Sequence, residues 1–161
     1  MDCCCSGTKM TKEMPQNVCG QCGEVGRIVA RQTVVHHVKS KKLAEIKSDE
    51  YKFCPSEKCP TVYYSVSGEV FIVDDVRELV TSKSSGDNRP LCYCFGFTEG
   101  FVREEVERTG ASSVPAQVTL FIKEKLCVCE IRNPAGACCL GEINRTVKSL
   151  SLSFSKQIEL T

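Results

Sequence analysis

The chain has 161 residues, a formal net charge of +1, 42% hydrophobic residues and 13 cysteines. Near-neutral charge excludes bulk electrostatic recruitment to nucleic acid or anionic membranes, and no apolar run approaches the roughly 18 residues that span a bilayer. With no apolar secretory core at the N-terminus, the expectation is a cytoplasmic protein with reduced thiols and no membrane insertion, in which cysteine at about 8% serves metals rather than disulfides.

Residues 1–17 are polar and rich in Cys and Ser, with Cys3, Cys4 and Cys5 in one run, and read as a disordered tail. Residues 18–80 carry β-type sequence. GRIVA (26–30), YKFC (51–54), TVYYSV (61–66) and EVFIVDDV (69–76) are rich in Val, Ile, Tyr and Phe and are bounded by Pro or Gly. Gly68 suits a hairpin turn between the last two. TVVHHVKSKKLAEI (33–46) reads two ways: a short helix capped by Thr33 with Val34, Val38 and Ile46 inward, or a strand over 33–38. TSKSSGDNRP (81–90) is the best linker.

Over residues 91–161 the apolar period becomes helical. Thr98 and Gly110 bracket one helix, with Phe101, Val102 and Val106 as its stripe. Ser113 and Pro115 open a second that runs through Val118, Phe121, Ile122 and Leu126. Leu140, Ile143, Val147 and Leu150 step at helical intervals in a third. The tail SLSFSKQIELT alternates and reads as a terminal strand or frayed end. The fold class is therefore α+β: a small β-rich module, a polar linker and a small helical module.

The cysteines fall into two sets. Cys19 and Cys22 form C-x2-C with adjacent glycines, and Cys54 and Cys59 form C-x4-C after a strand. Two knuckles supply four soft ligands, which suit a closed tetrahedral zinc site. A module of about 65 residues needs such a staple. A redox C-x-x-C would require a βαβ setting, which is absent here. His36 or His37 could replace one cysteine, although surface or half-buried histidines are the simpler reading. In the second set, Cys92 and Cys94 precede one helix and the stretch CVCEIRNPAGACCLGEI (127–143) precedes another. Helix N-termini favour anionic ligands. Spacing alone leaves a second zinc and an iron–sulfur cluster both open.

No nucleophile–base pair, Walker-type loop or paired-carboxylate site stands out, so hydrolase and transferase chemistry is not expected. Asp74 and Asp75 read as a solvated strand end, and NPAG (133–136) as a turn.

CYCFGFTEGFVREEVERTG followed by CVCEIRNPAGACCLGEINRTVK resembles the bacterioferritin-associated-ferredoxin-type [2Fe–2S] domain, with its second Cys pair expanded by EIRNPAG. That expansion, with the preceding CGQCG and FCPSEKCPTVYYS, is similar to the N-terminal domain of CopZ-type copper chaperones over roughly residues 18–150. The resemblance implies a β-rich zinc-binding module over 18–80 and a helical [2Fe–2S]-binding module over 91–161. It places zinc on Cys19, Cys22, Cys54 and Cys59, and the cluster on Cys92 and Cys94 with Cys129 and Cys139. Cys127 with Cys138 is the rival second pair.

The resemblance further implies one-electron transfer that reduces Cu(II) to Cu(I), and delivery of copper to a copper-transporting ATPase or another copper protein. Cys3, Cys4 and Cys5 would offer a Cu(I) site. The full chaperones also carry a C-terminal heavy-metal-associated domain with an M-x-C-x-x-C loop. This sequence ends at Thr161 without one, so a stand-alone relative or a fragment is expected. Such a protein would be at most a metal-reducing redox protein. The alternatives are a ferredoxin-like electron carrier with a structural zinc and no copper role, and a zinc-only adaptor.

Overall fold

The computed structural model describes residues 17–160. Four short strands, β1 (Arg27–Ala30), β2 (Glu50–Phe53), β3 (Thr61–Tyr64) and β4 (Val70–Ile72), pair antiparallel in the order β1-β2-β3-β4. The β1–β2 register runs from Arg27↔Phe53 to Ala30↔Glu50. Alternation of side chains divides the work of β3. Tyr63 enters the main core with Tyr51, Phe53 and Phe71, whereas Tyr64 packs with Cys19, Cys54 and Cys59.

Between β1 and β2 the ambiguous segment forms a helix, α1 (Arg31–His37). Val34, Val38 and Ile46 are buried against the sheet. Thr33 is not the cap: the helix starts after Ala30 with no side-chain cap, and Thr33 Oγ1 donates to the Glu130 carbonyl at 2.6 Å. A tertiary hydrogen bond with a partner 97 residues away has claimed the hydroxyl. Strand β4 is shorter than its apolar run. Its end is set by Asp75, whose carboxylate accepts the Ile72 N–H at 3.0 Å and turns Val73–Asp75 into a 3₁₀ turn.

The turn between β3 and β4 contains Gly68, as expected, and is locked by Glu69. Its carboxylate accepts from Lys47 N, Ser48 N, Ser48 Oγ, Tyr51 Oη and Ser65 Oγ. Burial works to raise its pKa, but the hydrogen bonds from Ser48, Ser65 and Tyr51 prevail and hold it far below the usual carboxylate range. Because the folded pKa lies below the unfolded one, the stabilisation is complete above about pH 4.3 and is lost as pH falls through the folded value. Glu69→Gln should therefore cost about 1–2 kcal/mol at pH 7, allowing for solvent screening. In urea titrations the gap to wild type should narrow between about pH 5 and pH 3. A gap that stays constant over that range would rule out ionisation of Glu69 as its source.

The segment 81–90 connects the two halves and is tied to both. Lys83 Nζ donates to the Ser56 and Cys59 carbonyls at 2.6 and 2.9 Å. Arg89, largely buried, pairs with Glu99 at 3.2 Å and with Glu142. Beyond it, β5 (Pro90–Cys92) and β6 (Phe97–Thr98) form a short hairpin. Helix α2 (Glu99–Thr109) has the expected ends. Thr98 Oγ1 accepts the Phe101 N–H at 3.3 Å, and Gly110 closes the helix at φ +79°, a left-handed conformation that suits glycine.

Helix α3 (Val114–Lys123) carries Pro115 in its first turn. It stops before Leu126, which is 58% exposed, because the chain reverses through Lys125 at φ +58°. A four-residue helix, α4 (Cys129–Arg132), follows, and the NPAG turn is closed by the Asn133 side chain on Ala135 N and the Ala137 carbonyl. Helix α5 (Leu140–Glu159) extends through the tail that reads as strand or frayed end. Leu150 and Phe154 continue the 3–4 spacing of Ile143 and Val147 into the core, while Leu152 faces outward. An already nucleated helix gains one bond per added residue, and this outweighs the local alternation. Helix α5 packs against α2 and α3. Among the described residues no helix is long and apolar enough to cross a membrane.

Candidate metal centres

The first centre is assembled by the sheet. Cys19 and Cys22 sit on a tight loop closed by Gly23 N–H to Cys19 O at 2.8 Å, with Gly23 at φ +79°. Cys54 follows β2 and Cys59 precedes β3, so both belong to one hairpin connection. Antiparallel pairing of β1 with β2 brings the two knuckles together across the long sequence gap between Cys22 and Cys54.

The four Sγ atoms all lie within 4.8 Å of one another. Cys19 and Cys59 are 3.9 Å apart, and Cys22 and Cys54 are 3.6 Å apart. Zinc–sulfur bonds of about 2.3 Å in a tetrahedron place sulfurs about 3.8 Å apart, so the donor set fits zinc. Cys19, Cys54 and Cys59 are buried, and Cys22 is exposed. Burial pushes the Cys19 thiol up, but amide hydrogen bonds from Cys22 and Gln21, with its thiol neighbours, bring it down to about 7. Burial pushes Cys54 well up. A thiol of lowered pKa beside one of raised pKa is a set whose protons a metal replaces on binding.

His36 and His37 do not join this group. They lie at the end of α1 against α4, where a ring nitrogen of each comes within 4.8 Å of a Glu78 carboxylate oxygen. The His37 ring is 1% exposed, and its Nε2 lies 3.0 Å from the Ile131 carbonyl. Burial, reinforced by His36, lowers its pKa to about 4 and keeps it neutral.

The second cysteine set is paired. Cys94 Sγ lies 3.7 Å from Cys129 Sγ, and the Cys92 and Cys139 thiols, buried in the same core, shift each other's ionisation. Cys92 ends β5, Cys94 lies in the following turn, Cys129 opens α4 and Cys139 stands just before α5. Val128 N–H points at Cys94 Sγ at 3.4 Å, the kind of amide contact that stabilises a thiolate. The hydrogen bond with Cys139 lowers Cys92 to about 7 and pushes Cys139 up. Burial raises Cys129 to about 12. Cys127 is half-buried and Cys138 exposed. Two close pairs are a donor set suited to a binuclear centre with two thiolates on each metal. Cys3, Cys4 and Cys5 lie outside the described residues.

Sequence reasoning did not find α4 as an element. Its carbonyls and those just beyond it are anchored on the sheet half: Thr33 on Glu130, His37 on Ile131 and Tyr63 Oη on Pro134 at 2.8 Å. Four residues are too short to show a period, and their partners lie more than 70 positions away in sequence. The available signal is the Thr33–His37 pair, four residues apart on one face of α1, whose hydroxyl and imidazole require partners when buried.

A small antiparallel sheet whose two knuckles gather four thiols defines a zinc-binding domain. Residues 16–77 match the CopZ-type family described as a zinc binding domain. The fold is similar to the X-ray structure of the Archaeoglobus fulgidus CopZ N-terminal domain, with a TM-score of 0.66 and 30% identity, over 80% of this chain and 95% of that one. The chain belongs to the CopZ N-terminal-domain family. A curated relative, the copper chaperone CopZ of A. fulgidus, is 34% identical over 127 residues, which are 79% of this chain and 60% of the relative. The chain thus spans 60% of the length of the curated relative it matches.

Proposed function

We propose that this protein handles copper, with zinc as a structural ion on Cys19, Cys22, Cys54 and Cys59 and a [2Fe–2S] centre on Cys92, Cys94, Cys129 and Cys139. The observation that carries this reading is the division of eight thiols into one group of four within 4.8 Å and a second set of two pairs, within a chain similar to a copper chaperone. When bound, a [2Fe–2S] centre supplies one electron, the amount that converts Cu(II) to Cu(I), the form soft thiolates prefer. The chain's own contribution is to exclude water from Cys92, Cys129 and Cys139, to direct the Val128 amide at Cys94, and to leave Cys94 half-exposed toward a reacting ion. Delivery to a copper-transporting ATPase or another copper protein, and capture of Cu(I) by Cys3, Cys4 and Cys5, belong to the same reading.

A second reading, an electron carrier with no copper role, is favoured by the exposed Leu126, Val128 and Ile131 around Cys127 and Cys129. They would suit docking to a protein partner. One experiment separates the two. Anaerobically purified protein should contain iron and zinc in a two-to-one ratio. After dithionite reduction, added Cu(II) should restore the oxidised visible spectrum. Iron present with no reoxidation above the buffer control would leave the electron carrier. Zinc without iron would leave a structural adaptor.

A further inference from the structure

We infer that His36, His37 and Glu78 form a site for Cu(II), separate from both thiol sets. The inference deepens the copper reading and rests on it. The backbone holds the donors in place. Val38 bridges to Val76, Arg77 N–H donates to the His37 carbonyl at 2.8 Å, and Arg77 Nε donates to Val38 O at 3.0 Å. The segment that carries Glu78 is therefore fixed beside the end of α1.

Hydrogen bonding then sets which atoms bear lone pairs. A carbonyl only accepts, so His37 Nε2, 3.0 Å from Ile131 O, carries the hydrogen. That leaves His37 Nδ1 as a lone pair facing Glu78 Oε2 at 3.6 Å. Arg132 only donates, so His36 Nε2, 2.9 Å from Arg132 Nη1, is also a lone pair. Glu78 is contacted at 3.6 Å by His37 and at 3.9 Å by Arg132, both longer than a hydrogen bond. Three acceptors thus converge. A buried imidazole whose other nitrogen donates to a backbone carbonyl is oriented as metal-binding histidines are.

The cation now among them is the Arg132 guanidinium, 36% exposed and held by His36 Nε2 and by the Tyr93 carbonyl at 3.0 Å, contacts that a bound ion would displace. Two imidazoles, a carboxylate and water make the tetragonal nitrogen–oxygen set that suits Cu(II), which also heads the divalent affinity order. Cu(I) would favour sulfur instead. The location fits this use. The His37 ring packs edge-on against Tyr93, at 6.2 Å between centroids, and Tyr93 lies between Cys92 and Cys94.

The test uses the full metal-loaded chain carrying Cys3→Ser, Cys4→Ser, Cys5→Ser, Cys127→Ser and Cys138→Ser, which removes the thiols outside the two ligand sets that would reduce or compete for the probe. Cu(II) titration should give one bound ion with electron-paramagnetic couplings from two imidazole nitrogens. Glu78→Gln and His36→Gln should each weaken binding about tenfold or more. Arg132→Gln should tighten it severalfold, because the competing cation is gone. Unchanged zinc content shows that each variant is folded. Sulfur-only coordination, or an affinity that none of the three variants alters, overturns the site. Iron content and Cu(II)-driven reoxidation of the dithionite-reduced sample report on the copper reading separately. Iron without imidazole-bound copper refutes the site alone, and imidazole-bound copper without iron refutes the electron-transfer reading alone.

Discussion

Cys54→Ser should release the zinc and unfold the sheet-bearing half of the protein. Cys54 is fully buried, its N–H is bonded to Val62 O at 2.9 Å, and its sulfur sits 3.6 Å from that of Cys22. A hydroxyl in its place leaves three thiolates and a weak oxygen donor. Structural zinc sites contribute on the order of 10 kcal/mol to folding, far more than a four-stranded sheet of three- and four-residue strands retains without it. The ion stabilises because its four ligands come from segments the unfolded chain does not hold together, so binding energy is folding energy. Elemental analysis should show zinc lost, and far-ultraviolet circular dichroism should show loss of strand signal at 25 °C. Cys22→Ser, at the exposed corner of the same group, should be milder. Stoichiometric zinc and an unchanged melting midpoint in Cys54→Ser would remove this site from the folding argument.

The second large effect concerns the choice within each cysteine pair. Cys129→Ser and Cys94→Ser should each abolish iron binding, whereas Cys127→Ser and Cys138→Ser should leave the iron content and visible spectrum close to wild type. The pairing of Cys94 with Cys129 at 3.7 Å and of Cys92 with Cys139 carries the expectation. Position on the helix ends explains the preference. Cys129 opens α4 and is buried in the helical core with Cys92 and Cys139, while Cys138 is exposed to solvent. Loss of iron from Cys127→Ser with retention in Cys129→Ser would reverse the assignment.

Much of this arrangement was legible because it rests on short-range chemistry. The separate cysteine knuckles, the Gly68 turn, the Thr98 cap with its Gly110 stop, and Pro115 in the first turn of α3 are written in adjacent residues. The illegible parts depend on contacts distant in sequence. Thr33 reads as a cap from its neighbours, but its hydroxyl is committed to Glu130. His36 and His37 read as surface or half-buried residues, and one is sealed between α1 and α4 with Glu78 and Arg132 nearby. The alternating tail reads as a terminal strand or frayed end, and in the fold Phe154 continues the face begun by Ile143. Neither local propensity nor spacing encodes which far residue will claim a side chain.

The anchoring of α4 also gives the chain a direction of assembly. Every candidate ligand of the first centre lies between Cys19 and Cys59, and the buried residues of its core end at Val80, with only Ala135 added from beyond it. During synthesis this half can therefore close around its ion while the remainder is still in the ribosome. The Glu130, Ile131 and Pro134 carbonyls then dock on hydroxyl and imidazole groups already in position, which fixes where Cys129 stands before Cys139 arrives. The first half thus acts as the template on which the second is completed, and the order of the two modules along the chain is the order in which they can be built.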